Sequence, residues 1–87
     1  MKHADSDALD RLEELLVKLR QYQSLKEKKR GIFYWKSNAF LHFHQDHDQL
    51  FADLRVGSEW ERFPVNTQLE QETLLAQVAI GLRQSGV

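Results

Sequence analysis

The sequence contains no cysteine, only four scattered glycines and no long apolar run. The lack of cysteine excludes disulfide bonds and thiolate chemistry, and the scattered glycines exclude a glycine-rich phosphate loop. No apolar stretch approaches the roughly 18 residues that cross a bilayer. The acidic N-terminus, MKHADSDALD, lacks the hydrophobic stretch of a secretory signal. We therefore expect a cytoplasmic protein with no membrane partner and no cofactor.

The composition is that of a folded chain. Of its 87 residues, 41% are hydrophobic and 29% are charged, which is typical of globular rather than disordered proteins. This length suits one small domain, spanning residues 1–87, with a modest core.

Basic residues are concentrated in one part of the chain. Residues 18–36 hold seven basic groups and one acid, although the net charge of the whole chain is −1. The run KEKKR at 26–30 is compatible with a phosphate-binding patch. A solvated helix end, where cations suit the helix dipole, is the favoured interpretation, because a single short charge run is a weak signal.

Periodicity predicts a helix at each end of the chain and a sheet between them. Leucines at helical spacing predict a helix over about 6–28, and Thr67-x-x-Glu70 resembles a capping box at the start of a helix over about 67–84. Residues 31–65 form four short segments, rich in aromatic and β-branched residues, that end at turn residues. The predicted fold class is therefore α+β: helix, four-stranded antiparallel β-meander, helix. We expect both helices on one sheet face.

The proposed turns define a strand register. A turn at Ser37-Asn38 pairs Phe33 with His42, a four-residue loop at 46–49 pairs His42 with Asp53, and a turn at Gly57-Ser58 pairs Asp53 with Arg62. Because side chains alternate across a strand, this register separates a core face from a second face. The second face is predicted to carry Phe33, Trp35, Phe40, His42, His44, Phe51, Asp53, Arg55, Trp60 and Arg62.

The second face is the predicted binding site. Tryptophan, phenylalanine and arginine are enriched at protein interfaces, so the leading interpretation is a surface for a protein partner or a second copy of the chain. A homodimer would bury a face that a chain of this size otherwise leaves open.

Metal or small-ligand binding at His42, His44 and Asp53 is the alternative. Two histidines at i and i+2 on one strand face can reach one ion. However, Arg62 is predicted to neutralise Asp53, and His47 falls in a turn, so a third ligand is missing. The sequence therefore assigns no metal, with His42 and His44 as the candidate ligands if one binds. The predicted face has no serine, threonine or cysteine nucleophile, and this argues against an enzyme without deciding the question.

Nucleic-acid binding is a further alternative. Aromatic residues on an open sheet can stack on bases, and the basic segment at 26–30 can contact phosphates. The acidic overall charge and the lack of an RNA-recognition signature argue against it.

The run FLHFHQDHDQLFADLR, followed by EWERFPV and a final Gln/Glu/Leu-rich helix, resembles a group of small uncharacterised bacterial proteins. The resemblance covers about residues 30–82. The chain departs from that pattern at Gln45, Gln49 and Trp60, where an acid, a glycine and a phenylalanine are expected. The resemblance implies a bacterial cytoplasmic protein with no assigned activity. Together these features predict a small non-enzymatic interaction module.

Overall fold

A computed structural model describes the backbone of residues 2–85 and the side chains of residues 2–83. Within this range the chain is an α+β fold with three helices and one antiparallel sheet. The helices are α1 (Ser6–Arg11), α2 (Glu13–Leu19) and α3 (Gln68–Ser85), and the strands are β1 (Lys2–His3), β2 (Leu25–Lys29), β3 (Ile32–Trp35), β4 (Asn38–Asp46), β5 (Gln49–Val56) and β6 (Glu59–Pro64). The predicted α+β class with an antiparallel sheet is confirmed, whereas the predicted order of helix, four strands and helix is matched only roughly. No helix in the described range is both long and apolar enough to cross a membrane.

The sheet has two more strands than the predicted meander. Its order is β2-β3-β4-β5-β6, and β1 pairs separately with β4. On β4, β3 pairs with residues 38–41 and β1 pairs with residues 44–45. The predicted four strands correspond to β3–β6.

The predicted helix over about 6–28 is wrong in its second half. Helical structure ends at Leu19, and Leu25–Lys29 is the strand β2. Leucine, lysine and glutamate are good helix formers, which explains the prediction. The same five residues start with alternating half-buried and exposed side chains. This period of two suits pairing with β3, and here strand pairing overrides helix propensity.

The C-terminal helix begins with the predicted capping box. The Glu70 N–H donates to Thr67 Oγ1 at 3.1 Å, and the Thr67 N–H donates to Glu70 Oε1 at 3.2 Å. Further along α3, Leu74 and Val78 are fully buried. The helix thus has a defined start and one apolar stripe that packs on the rest of the fold.

One buried cluster joins the helices to one face of the sheet, which we call the core face. The helices and the Leu12 junction between α1 and α2 contribute Leu9, Leu12, Leu15, Leu16, Leu19, Leu74 and Val78, and the strands contribute Phe33, Phe40, Leu41, Phe43, Leu50, Ala52 and Leu54. All three helices supply residues to this cluster, so they pack on the same side. The opposite side, the open face, carries Ile32, Tyr34, His42, His44, Phe51, Asp53, Arg55, Trp60, Arg62 and Pro64.

The register of the last three strands agrees with the prediction. His42 pairs with Asp53, and Asp53 pairs with Arg62. The turn between β4 and β5 is tighter than the predicted four-residue loop, because Asp46 and Gln49 are themselves paired and only two residues remain in the turn. His47 in that turn has a φ of 56°.

The register between β3 and β4 is wrong by one residue. The turn lies at Lys36-Ser37, which have φ values of 51° and 69°, so Trp35 pairs with Asn38. Both central residues of a two-residue type I′ hairpin turn need positive φ. An irregularity next to Phe40 then lets Phe33 pair with Leu41 instead of His42. The shift moves side chains of β3 to the opposite faces from those predicted.

Candidate functional site

The open face carries the polar row predicted from the sequence. Arg62 donates from Nε and Nη2 to the two carboxylate oxygens of Asp53, at 2.7 and 2.9 Å. Asp53 is the one buried charged residue in the described range, with 7% of its surface exposed. Hydrogen bonding from Arg62 holds the pKa of Asp53 below its ordinary value. The carboxylate is therefore ionised and fixed in orientation.

Three members of the predicted binding face lie elsewhere. Phe33 and Phe40 are 1% and 5% exposed, and Trp35 packs against the same core cluster. The cause is the shifted β3–β4 register. The other predicted members lie on the open face: His42, His44, Phe51, Asp53, Arg55, Trp60 and Arg62. This face is less aromatic than predicted, with Trp60 as its exposed large aromatic residue at 42%.

A third histidine reaches the open face through β1. His3 pairs with His44 in the register, and the Ala4 N–H donates to the Phe43 carbonyl at 3.1 Å. The sequence analysis missed His3 because a two-residue strand leaves no periodic pattern. Strand pairing thus joins a residue at the start of the chain to the central His-x-His pair.

The three imidazoles form one cluster, which we call the histidine cluster (His3, His42 and His44). Ring centroids are 4.7 Å apart for His3 and His44, 4.8 Å for His42 and His44, and 5.8 Å for His3 and His42. One ring nitrogen from each histidine lies within 4.8 Å of the other two. His44 Nε2 and His42 Nδ1 are 2.9 Å apart and share a hydrogen bond whose donor depends on the tautomers.

Two open-face neighbours support this cluster. Asp53 Oδ2 lies 3.1 Å from His44 Nε2, and the Trp60 ring lies 4.7 Å from the His42 ring. The indole therefore restricts movement of the His42 ring, and the carboxylate provides a fixed negative charge beside His44. Arg62 Nη2 donates to the same Oδ2, and Arg62 Nε donates to Oδ1.

The environment keeps the two central histidines neutral. Burial lowers the pKa of His42, and the neighbouring His44 lowers it further. Burial also lowers the pKa of His44, although Asp53 acts in the opposite direction. Near pH 7 each ring therefore retains an unprotonated nitrogen, and this is the form that binds metal ions.

His47 lies outside the cluster, as the sequence analysis expected. Its side chain is 95% exposed in the turn between β4 and β5, and its nearest charged neighbour is Asp46 at 3.8 Å. It is a matched control, because it is a histidine on the same hairpin that lacks the cluster geometry.

The cluster has the donors of a binding site and lacks a nucleophile. The described open-face positions of β4, β5 and β6 carry no serine, threonine or cysteine. A histidine–aspartate pair without such a group does not form a nucleophilic triad. The arrangement is suited to holding an ion or ligand.

Comparison of the chain with protein-family models, curated proteins and solved structures gave no match. The resemblance to a bacterial family therefore stays a prediction from the run FLHFHQDHDQLFADLR.

Proposed function

We propose that the chain binds a late first-row transition-metal ion through His3, His42 and His44 on the open face. The observation that carries this proposal is the convergence of three imidazole nitrogens within 4.8 Å of one another. The sequence analysis left out the metal because it found no third ligand, and β1 supplies one.

The donor chemistry selects the class of ion. Imidazole nitrogens suit Zn²⁺, Cu²⁺ and Ni²⁺, whereas Mg²⁺ and Ca²⁺ prefer oxygen ligands. Zinc–nitrogen bonds of about 2.0–2.1 Å place tetrahedral ligands about 3.3 Å apart. The His42–His44 nitrogen distance of 2.9 Å is close to this value, and the wider spacing to His3 closes by rotation of its exposed side chain.

The surroundings suit a bound ion. Three protein ligands leave at least one coordination position for water or another ligand. The Asp53 carboxylate lies beside the same His44 Nε2 that faces His42, so it would supply negative charge close to the cation rather than orient the ring through its other nitrogen. Arg62 fixes Asp53 but remains charged itself, so this ion pair limits the extra attraction that Asp53 provides.

The test is zinc titration of the untagged chain by calorimetry and thermal unfolding. We expect one ion per chain and, at zinc about 100-fold above its dissociation constant, a melting temperature raised by about 10 °C or more. His3→Ala, His42→Ala and His44→Ala should each weaken zinc binding about tenfold or more. Mg²⁺ should have no comparable effect.

The matched control is His47→Asn. Asparagine tolerates the positive φ of this turn position, and the variant removes a histidine without touching the cluster. We expect unchanged zinc affinity. Equal weakening by His47→Asn and His44→Ala would show that zinc binds histidines indiscriminately and would refute the site.

Self-association through the open face is a second candidate function, favoured by Trp60. This residue is 42% exposed on the edge strand β6, and the Arg55 guanidinium lies 5.7 Å from its ring centroid. Exposed tryptophan beside arginine is typical of protein contact surfaces. The loss of Phe33, Trp35 and Phe40 from this face is the reason that it ranks below metal binding.

Sedimentation of metal-free protein tests the second candidate. A dimer formed through the open face should dissociate on dilution, and Trp60→Glu should abolish it. Leu69→Glu is the control, because Leu69 is an exposed apolar residue on α3, 72% accessible. A monomer at every concentration would exclude self-association while leaving the zinc titration unaffected.

A further inference from the structure

The basic segment at 26–30 divides its charges between the two sides of the sheet. Glu27 accepts hydrogen bonds from Arg20 Nε at 2.6 Å and from the Gly31 N–H at 2.8 Å. Arg30 donates to two carboxylates on the helices, Asp10 and Glu13, both at 2.8 Å. These two residues of the segment are therefore neutralised by the helical layer.

Two other residues of the segment, Lys26 and Lys28, lie at a different feature. A depression of about 270 Å³ at the β2–β3 edge is lined by Ser24, Lys26, Lys28, Tyr34, Lys36 and Ser37. No carboxylate belongs to this lining. In the described part of the chain, Lys26 and Lys28 have no acid within ion-pair distance.

Aromatic rings position two of the ammonium groups. Lys28 Nζ lies 4.5 Å from the centre of the Tyr34 ring, and Lys36 Nζ lies 4.6 Å from the centre of the Trp35 ring. Lys26 is the register partner of Tyr34 on the neighbouring strand. Cation–π contacts of this kind reduce the freedom of the lysine side chains. The Lys28 ammonium is thus held at a ring that lines the depression, whereas Trp35 lies outside the lining.

We propose that this depression, the lysine pocket, binds a small ligand that carries a di- or triphosphate group. The ammonium groups of Lys26 and Lys28 offer only hydrogen-bond donors, and the serine and tyrosine hydroxyls add donors at the rim. An anion with several closely spaced charges can contact both lysines and the rim hydroxyls at once, whereas a single carboxylate offers one charge. The volume of about 270 Å³ accommodates a short phosphate chain.

The lysine pocket is separate from the histidine cluster. Tyr34 pairs with Ala39 at the start of β4, whereas His42 and His44 lie further along that strand. The two proposals therefore have independent tests.

Calorimetric titration of the metal-free chain with tripolyphosphate tests the pocket. Metal must be removed first, because polyphosphates chelate zinc. We expect saturable binding of one tripolyphosphate per chain at about 0.15 M salt, weakening as salt rises. Lys26→Gln and Lys28→Gln should each reduce affinity several-fold, and the double variant about tenfold or more. His44→Ala should bind as the unchanged chain does.

Lys18→Gln is the matched control, because Lys18 is an exposed lysine on α2 away from the pocket. It makes the same charge change, and we expect no loss of affinity. Circular dichroism verifies that every variant is folded. Equal weakening by Lys18→Gln would show general charge attraction and overturn the proposal. Binding of a single-stranded oligonucleotide that tripolyphosphate fails to displace would also overturn it, in favour of a nucleic-acid surface.

Discussion

Leu74→Ala is expected to lower the free energy of unfolding by about 3 kcal/mol. Leu74 is completely buried in the cluster that joins α3 to the core face. Truncation removes apolar contact area and leaves a cavity that the surrounding leucines fill only partly. A domain of this size has a total stability of about 4–13 kcal/mol. The change should therefore lower the melting temperature by more than about 10 °C.

The matched control is Leu69→Ala in the same helix. Leu69 is 72% exposed, and alanine and leucine have similar helix propensity, so its replacement should change stability by less than about 0.5 kcal/mol. Denaturant unfolding of both variants measures the difference. Similar losses in the two variants would mean that α3 does not pack on the sheet through Leu74. The position of α3 on the core face, opposite the open face, would then be wrong.

Glu27→Gln is expected to destabilise the fold by about 1–2 kcal/mol at neutral pH. The Glu27 carboxylate accepts hydrogen bonds from Arg20, at the end of α2, and from the Gly31 N–H at the turn into β3. Its side chain is 17% exposed, so solvent screens this interaction only in part. Glutamine has the same shape but removes the charge that strengthens these bonds.

The pH dependence identifies the charge as the cause. Burial alone would raise the pKa of Glu27, but hydrogen bonds from Arg20 and Gly31 outweigh it, and the pKa lies below its ordinary value of 4.5. The stabilisation is therefore complete above the unfolded-state pKa and is lost as the pH falls through the lower folded-state pKa.

Unfolding of the wild-type chain and Glu27→Gln should thus differ most at about pH 7 and least at about pH 2. Glu59→Gln is the control, since Glu59 is exposed on β6, and it should change stability by less than about 0.5 kcal/mol. A difference between wild type and Glu27→Gln that persists unchanged into acid would assign the effect to packing instead.

The sequence predicts the region from β4 to β6 well because its turns carry strong signals. Gly57-Ser58 fixes one hairpin, and a polar run fixes the other, so the His42–Asp53–Arg62 row could be placed correctly. The predicted register of the β3–β4 hairpin was wrong for the opposite reason, because its turn carries a weak signal. Lys36 and Ser37 adopt positive φ without the glycine or asparagine that usually marks such turns.

The N-terminal third shows a different limit of sequence patterns. Leu25–Lys29 has residues that favour helix, and only the neighbouring strand makes it a strand. His3 could not be assigned at all, because its partner His44 lies far along the chain and β1 has two residues. The positions of His42, Asp53 and Arg62 were therefore predictable from the sequence. The addition of His3 was not, because it depends on a contact between residues far apart in the chain.

At the proposed metal site, the short strand β1 would make residues 2–3 part of the metal-binding equilibrium. Among the described residues it is held by the Ala4 N–H to the Phe43 carbonyl, the Asp5 N–H to Gln45 Oε1 at 2.7 Å, and the strand pairing itself. Such a segment opens more readily than a central strand. An ion bound by the histidine cluster would link β1 to β4 and stabilise their pairing. By reciprocity, a change that loosens the first residues would release the ion to the same extent.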